Sequence, residues 1–241
     1  MIPYKDMNPT RRYPLMTYIL IVINVVVFFW ELSFPVEELE KIFFSISVVP
    51  SKFSAAPFSA GSFMDVLRSM FLHGGWFHLI GNMLYLYLFG DNVEDRFDTV
   101  LFLVLYFVSG YAAAFLQVMI EPSSQIPLIG ASGAISGVLG SYAVLYPGVE
   151  VRGIIPLGFF FYTISLPAWV FIGFWFLMQL ISGLATVSPT GESQGGVAFF
   201  AHIGGFITGL FLTLIFLRLV PQVPAKERNE LLYQRARRYW Y

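Results

Sequence analysis

Cysteine is absent from all 241 residues, which excludes disulfides and thiol chemistry and leaves the redox compartment open, since a protein can simply do without it. Charge is also scarce: Asp, Glu, Lys and Arg make up 12% of the chain, against about 25% in an ordinary soluble domain, so a conventional solvated surface is excluded. The long apolar runs contain no acidic residue, and this removes the paired intramembrane aspartates that an aspartyl mechanism needs. No HExxH sequence occurs, so the common zinc-protease arrangement is missing. A net charge of -1 says nothing about partners.

What the chain has instead is hydrophobic residues, 57% of the total. The uncharged runs are 13–30, 69–90, 99–120, 122–149, 153–191 and 193–217. About 20 apolar residues suffice to cross a bilayer core, so six spans are expected. The fifth run is long enough for two helices, but Pro156 and Pro167 interrupt it, and 153–166 is read as an interfacial loop. No small-residue cleavage site follows the first run, which continues Trp30-Glu31-Leu32, so it is expected to stay as the first helix.

The expected fold is therefore all-α, a polytopic bundle of six transmembrane helices. Residues 1–13 form a cytoplasmic tail, 14–220 the membrane domain and 221–241 a basic cytoplasmic tail. Cationic residues mark the cytoplasmic side. With both termini inside, eleven of them, including Arg11, Arg12, Arg96 and Arg152, lie on the inner segments, and only Lys41, Lys52 and Arg68 lie outside. This asymmetry supports an N-in, C-in topology. The outer segment 31–68 reads equally as partly interfacial or as an ordinary solvated loop. The tail ending Tyr239-Trp240-Tyr241 reads equally as interfacial or as a solvated end.

The fourth helix carries the first functional signal. Running from Ser132 to the Pro147-Gly148 break, it would span only about 24 Å, less than the bilayer core. Its outer end should start below the membrane surface, with 121–131 dipping inward to meet it. His78 and Asn82, at i and i+4 on the second helix, and His202 on the sixth reach a similar depth, roughly 8 to 9 Å from the outer ends for Asn82 and His202. Polar side chains in a span are costly and invite a functional explanation.

Serine is a weak nucleophile unless a base takes its proton, and histidine suits that task. Ser132 and His202 are thus the candidate catalytic pair. The Ser132 amide at a helix N-terminus, with His78 and Asn82, could stabilise a developing oxyanion. Each item has a plainer explanation. A lone serine in Gly130-Ala131-Ser132-Gly133 is more often packing, as Ser136 is read here, and a lone intramembrane histidine is as often structural. Their conjunction favours chemistry. Gly133 and Gly137, like Gly205 and Gly209, have the small-xxx-small spacing that would bring the fourth and sixth helices close. A metal site is disfavoured, because His73 and His78 are five apart and diverge around a helix. No cofactor is expected.

At these residues the sequence resembles the rhomboid intramembrane proteases, from Pro14 to Leu217. His73-Gly-Gly-Trp-Phe-His78-Leu-Ile-Gly-Asn82 is similar to the family's HxxxxHxxxN, Gly130-Ala131-Ser132-Gly133 to its GxSG, and the segment from Ala201 to Gly209 to its AHxxGxxxG. The resemblance implies a rhomboid-like bundle and a serine endopeptidase with Ser132 as nucleophile and His202 as base. It further implies His78, Asn82 and the Ser132 amide as oxyanion hole, with His73 structural. Implied too are transmembrane protein substrates cut near the outer face, a lateral gate of Phe171, Phe174 and Trp175 on the fifth helix, and a cap including 191–196. The chain departs from the family at Met64 and Asp65, where many members carry Trp-Arg, and at Ser136, where some carry an aromatic residue. The expected location is a cell (inner) membrane, multi-pass, with the site facing the extracytoplasmic side. Two rivals remain: a catalytically silent relative that binds membrane clients, and a transporter using the same polar cluster.

Overall fold

The computed structural model describes residues 1–186 and 197–221. It is mostly helical, with a small sheet: β1 Ile2–Asp6, α1 Leu15–Glu31, α2 Val36–Ile46, α3 Pro50–Phe53, α4 Ala60–Ser69, α5 Trp76–Ile120, α6 Ser132–Leu145, β2 Glu150–Leu157, β3 Phe160–Pro167, α7 Ala168–Thr186 and α8 Phe199–Leu219. Among the described residues three helices, α5, α7 and α8, are long and apolar enough to cross a membrane; α1 and α6 are apolar but shorter. The expected cap segment 191–196 and the basic tail from 222 onward lie outside the described residues.

Helix α5 is two helices in series. A straight helix of 45 residues would be about 68 Å long, twice the bilayer core. Asp98 breaks it, with φ 68 and ψ 166, and His78 from its start and Gln117 from its end line one cavity, so the chain folds back there. The charged stretch 91–98, between the second and third uncharged runs, is thus helical up to Asp98. Its side chains explain why. Glu94 accepts from the Met16 and Thr17 amides at 2.9 and 2.8 Å and from the Thr17 hydroxyl at 2.8 Å, which caps the start of α1, where Pro14 offers no side-chain cap. Asp95 takes Arg11 Nε at 3.0 Å and the Arg12 amide at 2.9 Å.

The segment expected to be an interfacial loop, 153–166, is instead a hairpin, and the all-α expectation is corrected to a helical bundle with a three-stranded antiparallel sheet ordered β1-β2-β3. The two prolines that argued against structure fall where strands tolerate them. Pro167 ends β3, and Pro156 lies beyond Ile154, the last β2 residue paired to β1, where β2 has become an edge. The β-branched and aromatic residues around Gly158, whose φ of 61 suits the tight turn, favour the hairpin. The first residues are likewise fastened rather than free: Ile2 pairs with Ile154, and Asp6 Oδ2 accepts from Asn92 Nδ2 and the Tyr142 hydroxyl, both at 3.0 Å. Between α1 and α5, residues 31–68 fold into α2, α3 and α4.

Helices α6 and α8 cross in near-backbone contact. A Cβ on Gly205 would strike the Gly133 carbonyl, and one on Gly209 the Gly137 carbonyl. The small-xxx-small stripes expected on the fourth and sixth helices therefore face each other. Helix α6 is two residues shorter than expected, ending at Leu145, but begins at Ser132 as predicted. The connection before it is tied to the outer helices by the Leu128 amide on the Val48 carbonyl at 2.7 Å and the Gly130 amide on the Ser69 carbonyl at 2.9 Å. Such satisfaction is what irregular backbone at membrane depth requires.

Two outcomes follow from this packing. Gly209→Ala should destabilise the fold by about 1 to 3 kcal/mol, the usual cost of overpacking, whereas Gly173→Ala, which meets nothing within 4 Å, should be no less stable than the parent; unfolding curves in detergent compare them. Burial raises the Asp6 carboxyl from 3.8 to about 6. The folded state then holds a proton that the unfolded chain releases, so this stabilisation is present below the ordinary value and is lost as pH rises through about 6. Hydrogen exchange at the β1 amides should be slower near pH 5 than near pH 7.5, after correction for intrinsic rates, and Asp6→Asn should flatten the difference.

Candidate active site

The first residue of α6 and the first turn of α8 supply the central pair. Ser132 Oγ lies 2.8 Å from His202 Nε2, across 70 positions of sequence. Their juxtaposition follows from the crossing of α6 and α8, because the glycine contacts fix the two helix starts side by side. The start of α8 is further held by α5: the buried Gln117 accepts the Ala201 amide on its Oε1 at 3.1 Å and donates from Nε2 to Glu121 at 3.2 Å.

His78 and Asn82 stand on the first turns of α5, facing the same cavity, which has a volume of about 740 Å³. The Gly74 amide donates to His78 Nδ1 through a long bond of 3.4 Å, which leaves Nε2 as the protonated nitrogen. That Nε2 lies against Gly130, close enough that a Cβ there would collide with it, and the same Cβ would sit 3.6 Å from Ser132 Oγ. Gly130 also has φ 121, a conformation that side-chain-bearing residues avoid. Asn82 is buried, and its Nδ2 has no hydrogen-bond partner among the described residues. A nucleophile bonded to a base, with two donors on the same cavity, is a geometry capable of acyl transfer.

The remaining expected residues take supporting places. His73 is 1% exposed and precedes α5 rather than lying on it, and its ring is 5.1 Å from that of His78. Its amide donates to Glu31 Oε1 at 3.0 Å. Glu31, the last residue of α1, therefore braces the turn that leads into α5, whereas Met64 and Asp65, where many members of the resembled family carry Trp-Arg, lie on α4. Ser136 donates to the Ser132 carbonyl at 2.6 Å, as a helix-packing serine does. Of the expected gate residues, Trp175 lies 6.0 Å from His202 between ring centres and Phe174 is exposed, but Phe171 is buried near the hairpin, where it packs against Gly153. Among the described residues no group of three or more His, Cys, Asp or Glu is placed to hold a metal.

Three polar residues at the site escaped sequence reasoning: Glu31, Gln117 and Gln179. Gln179 on α7 lies 2.8 Å from His202 Nδ1 through its Oε1. A signal for both glutamines did exist, since each is an isolated amide in an apolar run, where an unpaired polar group is costly. What it would pair with could not be read.

A Rhomboid domain model matches residues 60–219. The chain is 33% identical over 152 residues to RHOMBOID-like protein 4 of Arabidopsis thaliana, covering 63% of this chain and 34% of that protein. It is 27% identical over 201 residues to Rhomboid protein 1, mitochondrial, of Saccharomyces cerevisiae, covering 81% and 51% respectively. To Rhomboid-like protease 5 of Toxoplasma gondii it is 30% identical over 163 residues, covering 66% and 17%. The chain thus spans between 17% and 51% of the length of these relatives. With the family model covering most of its membrane helices and the relatives sharing that name, the chain belongs to the rhomboid family.

Proposed function

We propose that this rhomboid is an intramembrane serine endopeptidase that cleaves transmembrane segments of other membrane proteins. The observation that carries the reading is the 2.8 Å hydrogen bond between Ser132 Oγ and His202 Nε2 inside a cavity that His78 and Asn82 also line. In this mechanism Ser132 Oγ attacks the substrate carbonyl while its proton passes to His202 Nε2. The oxyanion is met by the Ser132 amide, His78 Nε2–H and the unpartnered Asn82 Nδ2. His202 then returns the proton to the leaving amine. Water hydrolyses the acyl-enzyme, and no cofactor is called upon.

The same reading supplies the topology. Helix α1, the two halves of α5, and α6, α7 and α8 are taken as six spans, with both termini inside and the site opening toward the extracytoplasmic face. It is supported by the grouping of β1, the hairpin and the Asp91 to Asp98 stretch at one end of the bundle, opposite Ser132. A cell membrane is the proposed location, although relatives include a mitochondrial protein.

Purified protein in detergent or liposomes should cleave a single-span reporter, and both Ser132→Ala and His202→Ala should abolish cleavage with the fold intact. Asn82→Ala should lower kcat/KM on the order of 10²-fold if it serves the oxyanion. Unchanged rates in both Asn82→Ala and His78→Ala would remove the oxyanion assignment. If the parent cuts no reporter and a fluorophosphonate leaves Ser132 unlabelled, while client capture survives Ser132→Ala, the chain is instead a silent client-binding relative.

A further inference from the structure

Helix α7 offers one amide, Gln179, in an otherwise largely apolar face turned toward α8. Trp175, one helical turn earlier, lies beside the His202 ring, and Phe176 stacks on Phe206 with ring centres 4.4 Å apart. Gln179 Oε1 is 2.8 Å from His202 Nδ1. A carbonyl oxygen can only accept, so Nδ1 carries the proton, and the Nε2 lone pair is directed to the Ser132 hydroxyl. If the amide turned its nitrogen to the ring, Nδ1 would have to accept and Nε2 would be protonated. Such an imidazole could not take the serine's proton. With its oxygen toward the ring, the Gln179 side chain holds the tautomer on which the dyad depends.

The bond also joins two helices of unequal anchorage. In their most apolar windows only 22% of α7 is buried within the protein, against 44% of α8. A shift of α7 away from α8 by about 1 Å would already stretch the bond past hydrogen-bonding distance. Resting on the protease reading above, we propose that Gln179 is a positioning residue for His202, which makes the dyad competent only while α7 is packed on α8.

The test compares the full chain with Gln179→Leu, Gln179→Met and Gln179→Glu in detergent. It follows Ser132 labelling by a small fluorophosphonate, kcat and KM on a single-span reporter, and the pH profile. Loss of the acceptor in Gln179→Leu and Gln179→Met should slow labelling and lower kcat roughly 10- to 100-fold with KM little changed. Gln179→Glu keeps an acceptor and adds a charge that favours the imidazolium. It should restore most of the rate and move the acidic limb of the profile to higher pH. A purely structural role would lower the melting temperature of all three variants without moving that limb. Parent-like labelling in a folded Gln179→Leu or Gln179→Met variant, with an unmoved limb in Gln179→Glu, overturns the proposal and leaves the protease reading standing. Failure of the parent itself to be labelled or to cut overturns both.

Discussion

The close crossing of α6 and α8 is the constraint on which the rest depends, because it brings Ser132 and His202, 70 residues apart, within 2.8 Å. Backbone carbonyls of α6 at Gly133 and Gly137 occupy the space where side chains would stand on α8 at Gly205 and Gly209. Inside a bilayer, apolar attraction between helices is largely matched by lipid, so shape and close backbone approach determine which faces meet. Gln117 reinforces this by holding the Ala201 amide, one residue before the histidine, from a third helix.

Around that crossing, several polar groups that membrane burial would penalise are paired across elements. Glu94 of α5 caps α1, Glu31 of α1 holds the His73 turn, and Asp6 of β1 takes Asn92 and Tyr142. Each is a local tie costly to break in a low-dielectric interior, and together they place His78 and Asn82 opposite the start of α6. Asn82, buried and lining the cavity, is one of several side chains with a buried polar atom unpartnered among the described residues, together with Asn24, Tyr106 and Ser109.

Much of this was legible beforehand. Long uncharged runs located the helices, the glycine spacing identified the α6 and α8 faces, and the start of α6 at Ser132 matched the expectation because Gly130 at φ 121 prevents the helix from starting earlier. The hairpin was misread because Pro156 and Pro167 act as breakers in a helix but are harmless at a strand edge or end, and one chain alone does not reveal which strand is the edge. The helical course of the acidic stretch before Asp98 is not legible in the sequence, because charges suggest solvent exposure, while Glu94 and Asp95 are buried against α1 and its approach.

By itself the sequence determined the class of environment, the helical runs, the membership of Ser132, His202, His78 and Asn82 in one polar set, and the glycine stripes. These depend on composition and on spacing along a single helix, which are local properties. Only the tertiary structure decided which groups face which: Gln179 opposite His202 Nδ1, Gln117 beneath Ala201, Glu31 behind His73, and β1 laid along the hairpin. Partners separated by 23, 84 and 42 positions are chosen by packing, for which no spacing rule exists.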